Sequence, residues 1–248
     1  MIDFRSPVPN RDIQRQLLHT PITTDVVTLP NLRWFSFWGT SDYLEALLPS
    51  IATPVLEKLD VSFFNQLTFS VPHLQQFLSR IEAHKFYSGM LVFEEDVVYM
   101  IVYPRRFGRE TLSIHLRCSR LDWQVASMTQ ILDALVAVSS AVERLTLKCT
   151  RDDISSEWHK EADRTLWRYL LRPFANVKTL HVTKGLVTEL SRTLQPEDGE
   201  SPLALLPELK AIEYPPTGEA DGAFSTFTAV RQNIGRPLSL IHVDGILK

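Results

Sequence analysis

An α/β solenoid, with parallel strands on one face and helices on the other, is the fold class this sequence predicts, and three observations predict it. The first is a recurring apolar spacing. Val142-Glu-Arg-Leu-Thr-Leu-Lys places apolar side chains at Val142, Leu145 and Leu147. The same L-x-x-L-x-L register returns at Leu32, Phe35 and Phe37, at Leu56, Leu59 and Val61, at Val177, Leu180 and Val182, and at Leu209, Ile212 and Tyr214. The second is that stretches with apolar residues at helical spacing lie between these strand-like segments. The third is physical: one such strand and helix cannot bury their own apolar face, so neighbouring units must stack into a parallel sheet with an outer helical layer. The registers begin at unequal intervals, the widest between Leu56 and Val142, so the repeat is irregular.

Taken in order, residues 1–28 are polar and hold Pro7, Pro9 and Pro21, and read as an N-terminal arm or the remnant of an earlier unit. Residues 29–248 form the repeat domain. Leu29-Pro-Asn-Leu-Arg-Trp-Phe-Ser-Phe-Trp-Gly is a strand closed by Gly39, and Thr40 or Ser41 is placed to cap the helix carrying Leu44, Leu47 and Leu48. The second unit repeats this with the Leu56 register and a helix from about Pro72 to His84, with Ser70 placed as its cap. From 89 to 118 the pattern changes to an antiparallel β-rich excursion, with strands at Met90–Phe93, Val97–Tyr103 and Leu112–Cys118 and no room for helices between them. Asp122 is placed to cap a long helix from Trp123 to about Ala141, which leads into the Val142 strand. A polar loop, a helix Trp158–Leu171 stopped by Pro173, and the Val177 strand follow. A short helix at Leu186–Leu194, an acidic loop at Pro196–Pro202, the Leu209 register, a helix at Phe224–Asn233 and a strand at Leu238–Val243 complete the chain.

Bulk properties narrow the function classes. The 248 residues are 44% hydrophobic and 22% charged, as in ordinary globular proteins, and the net charge of −3 gives no electrostatic reason for nucleic acid or an anionic membrane as partner. Apolar runs are too short for a membrane span, and the Met-Ile-Asp-Phe-Arg start lacks the character of a signal peptide. Cys118 and Cys149 have no second thiol or suitably spaced histidine nearby, which argues against zinc and fits reduced cysteines in an intracellular, cytoplasmic or nuclear, compartment. Glu94-Glu-Asp reads as a solvated turn in preference to a cation site. Phosphate loops, G-x-S-x-G, H-E-x-x-H, paired C-x-x-C and kinase signatures are all missing from the sequence, so no cofactor and no catalytic residue is expected.

In an x-x-L-x-L strand the alternate residues point away from the helices. That parity nominates an exposed stripe: Trp34, Ser36 and Trp38, then Lys58, Asp60 and Ser62, then Ser113, His115 and Arg117, then Arg144, Thr146 and Lys148, then Thr179, His181 and Thr183, and finally Glu213. Its aromatic residues gather at one end, and an exposed tryptophan pair on a sheet face is a common protein-contact feature. The expected partner-binding set is Trp34, Trp38, Lys58, Asp60, His115, Arg117, Arg144, Lys148 and His181. A cysteine–histidine site from His115, His181 and Cys149 is the one enzymatic alternative the stripe offers.

Several segments also carry a resemblance. Leu29-Pro-Asn-Leu-Arg-Trp-Phe, Leu121-Asp-Trp-Gln-Val-Ala-Ser, Trp167-Arg-Tyr-Leu-Leu-Arg-Pro-Phe-Ala-Asn-Val-Lys-Thr-Leu, Leu205-Leu-Pro-Glu-Leu and Ala229-Val-Arg-Gln-Asn-Ile-Gly-Arg-Pro-Leu resemble, in the same order, the region after the F-box in a large family of F-box proteins from mushroom-forming fungi. The resemblance implies an irregular leucine-rich-repeat-like region that recognises a protein substrate for a cullin–RING ubiquitin ligase. It also implies contact with the Skp1 adaptor through an F-box upstream, since nothing in residues 1–28 is similar to one. The expectation is thus a non-catalytic recognition module lacking its F-box here, with a structural or decoy paralogue uncoupled from ubiquitination as the alternative.

Overall fold

A computed structural model describes residues 2–5, 26–64, 66–79, 86–104, 111–150, 163–197, 199–216 and 222–243. Each leucine register begins in a tight turn. The N–H groups of Leu32, Leu56, Val142, Val177 and Leu209 donate to the carbonyls of Leu29, Thr53, Ser139, Phe174 and Leu206, three residues earlier in each case. Pro30, Pro54 and Pro207 hold the second position of three of these turns, where the fixed proline φ suits a type I bend. The turns also bond to one another. The carbonyl of Arg33 accepts from Glu57 and Lys58, that of Glu143 from Lys178 and Thr179, and that of Lys178 from Lys210 and Ala211. The leading apolar residue of every register is buried beneath its turn.

The five strands that follow these turns join five others in one sheet. They are β1 (Ile2–Arg5), β3 (Trp34–Gly39), β5 (Lys58–Phe63), β6 (Phe86–Phe93), β7 (Val97–Pro104), β8 (Leu112–Arg117), β9 (Arg144–Cys149), β10 (Thr179–Val182), β11 (Ala211–Tyr214) and β12 (Ser239–His242). A separate pair, β2 (Val27–Thr28) and β4 (Ile51–Ala52), runs parallel beside the first turns. The large sheet is ten-stranded, in the order β1-β3-β5-β8-β7-β6-β9-β10-β11-β12. Every neighbouring pair is parallel except those made by β7, which is antiparallel to β6 and to β8. The sheet is therefore open and mostly parallel, part of a mixed α/β fold.

The expected antiparallel excursion is the β6–β7–β8 meander, and its placement explains the widest interval between registers. The chain leaves β5, lays β6 beyond two vacant positions, folds back through β7, and sets β8 against β5. It must then return across β7 and β6 to reach the far side of β6. That return spans three strand spacings, about 14 Å. The crossover is made by α3 (Leu121–Ala134), whose 14 residues reach about 21 Å. Gly89 on β6 fits here because a Cβ would stand 3.2 Å from Val142 Cγ2.

The remaining helices are α1 (Ser41–Leu47), α2 (Pro72–Ser79), α4 (Val136–Ser139), α5 (Arg164–Leu171), α6 (Val187–Thr193) and α7 (Ser225–Asn233). Alternate strand residues, among them Phe35, Phe37, Leu59, Val61, Phe63, Leu91, Phe93, Val98, Met100, Leu145, Leu147, Leu180 and Ile212, are buried in a single cluster with Leu44, Leu74, Met128, Ile131, Trp167, Leu190 and Phe227 of the helices. The β-pleat sends the intervening residues to the opposite face. No helix among the described residues is long and apolar enough to cross a membrane.

Local details differ from the sequence reading in instructive ways. Asp122 does not cap the long helix. The helix begins at Leu121 with Arg120 as N-cap, and the Asp122 carboxylate accepts from Trp123 N–H and from the Arg120 guanidinium, still in the first turn where the helix dipole favours an acid. The long helix is also interrupted: Leu135 adopts φ −108° and ψ 39°, and α4 restarts after it. Thr40 is the N-cap of α1 but makes no side-chain cap bond. Gln66 supplies one instead, its Oε1 accepting from Ser41 N–H at 2.7 Å. Glu45 of α1 likewise accepts from His73 and Leu74 at the start of α2. The continuation of α2 toward His84, the start of the helix expected at Trp158 and most of the N-terminal arm lie outside the described residues, although Ile2–Arg5 of that arm forms the edge strand β1.

Candidate functional site

The sheet face opposite the helices brings the nominated stripe into rows that run across the strands. One row reads Ser36, Asp60, Ser113, Ile101, Met90, Thr146, His181, Glu213 and Ile241, from β3 to β12. The next, toward the C-terminal ends of the parallel strands, reads Trp38, Ser62, His115, Tyr99, Val92 and Lys148. Trp34 and Lys58 are partners on the N-terminal side. All nine partner-binding candidates project on this face, and each is half-buried or exposed. Two members of the rows differ: Ser113 and Val92 are buried, at 3% and 1% exposure. For Ser113 this corrects the stripe, because on β7 the bulky Ile101 is its direct partner and Tyr99 stands opposite the adjacent His115 on the same face.

The β3–β5–β8 half is built from rings under cations. Lys58 Nζ lies 5.0 Å from the Trp34 ring centroid, and the Arg117 guanidinium lies 5.5 Å from that of Trp38. Phe64 meets Trp38 edge-on at 6.1 Å. Trp34 is 38% exposed, whereas Trp38 is the more enclosed of the two. Between them, His115 Nε2 sits 3.6 Å from Asp60 Oδ1 and the imidazole stacks on Tyr99 at 5.1 Å. Tyr99 donates from its hydroxyl to Glu94, and burial together with that carboxylate raises its pKa, so it is a neutral phenol at physiological pH.

The β9–β10–β11 half is built around the Glu213 carboxylate. Arg144 reaches Glu213 at 3.4 Å across β10, and His181 Nδ1 lies 3.6 Å from the same carboxylate, an electrostatic contact too long for a hydrogen bond. Burial lowers the His181 pKa; Arg144 acts in the same direction and Glu213 against it. His181 is therefore neutral near pH 7, and Glu213 is shared by one guanidinium and one imidazole.

The enzymatic alternative does not assemble from the residues named for it. His115 on β8 and His181 on β10 are separated by β7, β6 and β9. Cys149 lies on the helix-covered side, within the core cluster. Burial and Asp122 push the Cys118 thiol up to about 11, which keeps it protonated and weakly nucleophilic near neutrality. Among the described residues, no group of three His, Cys, Asp or Glu side chains is arranged to hold a metal ion. A cleft on the helical side is lined by Gln75, Leu78, Phe86, Leu135 and Val138, and none of its described lining residues is an acid, a base or a thiol.

Tyr99 and Phe64 are the contacts that sequence reasoning passed over. The alternation Val97, Tyr99, Ile101, Tyr103 carries the signal for the first, since these residues share a parity opposite to that of Val98, Met100 and Val102. Phe64 follows the last strand residue and has no periodic signal. Compared with models of protein families, with curated proteins and with solved structures, the chain finds no match in any of the three.

Proposed function

We propose that this chain is a non-catalytic protein-binding module, an irregular leucine-rich-repeat-like solenoid that receives a protein partner on the strand face, with Trp34 and Trp38 as leading contacts. The observation that carries this reading is the pairing of ring with cation. Trp34 stands half in solvent beside Lys58, and Trp38 lies under Arg117, both on the face opposite the helices. Tryptophan and arginine are the side chains that most often dominate protein interfaces. The solenoid reading is supported by the five equivalent turns and by the carbonyls that each accept two N–H groups from the following unit.

The partner we infer is a protein substrate, and the role that of substrate recognition in an F-box-type ubiquitin-ligase receptor, acting inside the cell in the cytoplasm or nucleus. The resemblance of the Leu29, Leu121, Trp167, Leu205 and Ala229 segments supports it, as do two free cysteines. The Skp1 adaptor would be engaged through an upstream F-box and not through this face. A pull-down comparing this chain with a version extended upstream to the next in-frame start tests the proposal. Both forms retain the same protein and only the extended one takes the adaptor. Capture of the adaptor by neither form contradicts the ligase role, and capture unchanged by Trp34→Ala contradicts the binding face.

A further inference from the structure

Glu213 on β11 stands between two basic partners and is held closely by neither. Arg144 Nη2 donates to both of its oxygens, at 3.4 and 3.5 Å, and His181 Nδ1 lies 3.6 Å from Oε2. The two partners differ in reach. His181 is the direct neighbour of Glu213 in the β10–β11 register, whereas Arg144 lies on β9 and must extend across β10. They differ in exposure as well: the His181 and Glu213 side chains are 14% and 16% exposed, that of Arg144 44%, so Arg144 is the member that can turn into solvent. His181 Nδ1 is enclosed and makes no hydrogen bond. A ring nitrogen facing a carboxylate carries the proton of the neutral tautomer, so a second proton enters at Nε2. Among the described residues of the two flanking strands, the charged groups on this face are Glu213 of β11 and Arg144 and Lys148 of β9, the last lying two residues beyond the Thr146 that pairs with His181.

We infer that Glu213 is a two-position carboxylate, which holds Arg144 while His181 is neutral and closes on His181 when the imidazole takes up a proton, releasing the Arg144 guanidinium to the strand face. A charged imidazole draws the carboxylate in to the length of a charge-assisted hydrogen bond, about 2.7–2.9 Å. The contacts with Arg144 are already at the limit of hydrogen bonding and do not survive that closure. The positive charge on His181 also repels the guanidinium. The coupling is reciprocal: an anion that takes Arg144 leaves Glu213 to the imidazole, so proton and anion favour each other. Burial lowers the His181 pKa, Glu213 opposes this and Arg144 adds to it. The exchange therefore occurs below the ordinary imidazole value of about 6.5. Arg144 is one of the proposed contact residues, so acidification changes what the face offers, but the exchange itself does not rest on the protein-binding reading.

The test is a nuclear magnetic resonance titration of the intact chain from about pH 8 to below the His181 midpoint. It follows the His181 ring and the Arg144 guanidinium, each assigned by the signal lost in His181→Gln or Arg144→Lys. The guanidinium is expected to lose its restricted rotation with the midpoint of His181. In His181→Gln it stays restricted throughout, and in Glu213→Gln it rotates freely throughout. Arg144 signals that ignore the His181 midpoint, that change in the same way in His181→Gln, or that stay restricted in Glu213→Gln each overturn the inference. No partner is needed, so failure here leaves the protein-binding role standing, and partner capture unchanged by Trp34→Ala leaves the exchange standing.

Discussion

The two sides of a single strand are put to different uses, and β9 displays the contrast within six residues. Leu145, Leu147 and Cys149 turn toward the helices and are buried, while Arg144, Thr146 and Lys148 turn the other way and meet Glu213, His181 and solvent. On the covered side, packing decides everything, because removing one methylene leaves a gap that neighbours cannot fill. On the open side the contacts are ring-on-cation and ion pairs, each worth little to stability. The lesson is that the strands' alternation separates what holds the sheet together from what the sheet presents.

Substitutions on the covered side break that contrast first if it is wrong. Leu145→Ala and Leu180→Ala each lower the unfolding free energy by about 2–5 kcal/mol, as deletions from a dense core do. Denaturant melts check this, and losses below about 0.5 kcal/mol mean the sides have been misassigned. Gly89→Ala comes next. Its new methyl group meets Val142 at 3.2–3.3 Å, and overpacking of this kind costs about 1–3 kcal/mol. A neutral result shows that Val142 can move aside.

The open side is tested more finely by pH. The His181 pKa is lowered in the folded chain, so the unfolded chain binds more protons wherever the two differ, and stability rises with pH there. The contribution is complete above the ordinary imidazole value and is lost as pH falls below it. His181→Gln removes that part of the pH dependence in chemical melts between pH 5 and 8, whereas a slope unchanged by the substitution assigns it to other groups.

Much of the covered side was legible in the sequence. Each L-x-x-L-x-L register ends in a strand with the expected parity, because burial of one face imposes period-two spacing whatever the neighbours are. The order of the strands was not legible. That β8 lies against β5 and β6 against β9 depends on which edges find each other, and a meander can be inserted either way round without altering its own alternation. The helix caps were hidden for a similar reason. Gln66 and Glu45 act on helices far along the chain from themselves, and Gln130 of α3 both accepts from Phe69 N–H and donates to the Leu67 carbonyl, contacts that no local pattern announces. Arg231 is the extreme case. It reads as a surface residue of α7, yet it is 1% exposed and donates to the carbonyls of Leu206, Pro207 and Leu209, pinning the turn in which Leu206 holds a φ of +48°.

On the open face, parity alone placed the nine candidate residues on one side, with the aromatic ones at one end, but the individual pairs they form were not legible. Trp34 with Lys58, and Trp38 with Arg117, need the register between strands as well as the parity within them. The buried state of Ser113 needs the crowding that β7 brings.

The central claim is that Trp34 serves contact and not stability, and one substitution tests it directly. Trp34→Ala, followed by denaturant melts and partner capture on the same preparation, is expected to change the unfolding free energy by less than about 0.5 kcal/mol while reducing capture severalfold. A loss of about 2 kcal/mol or more with capture unchanged would place the ring in the structural core and contradict the account.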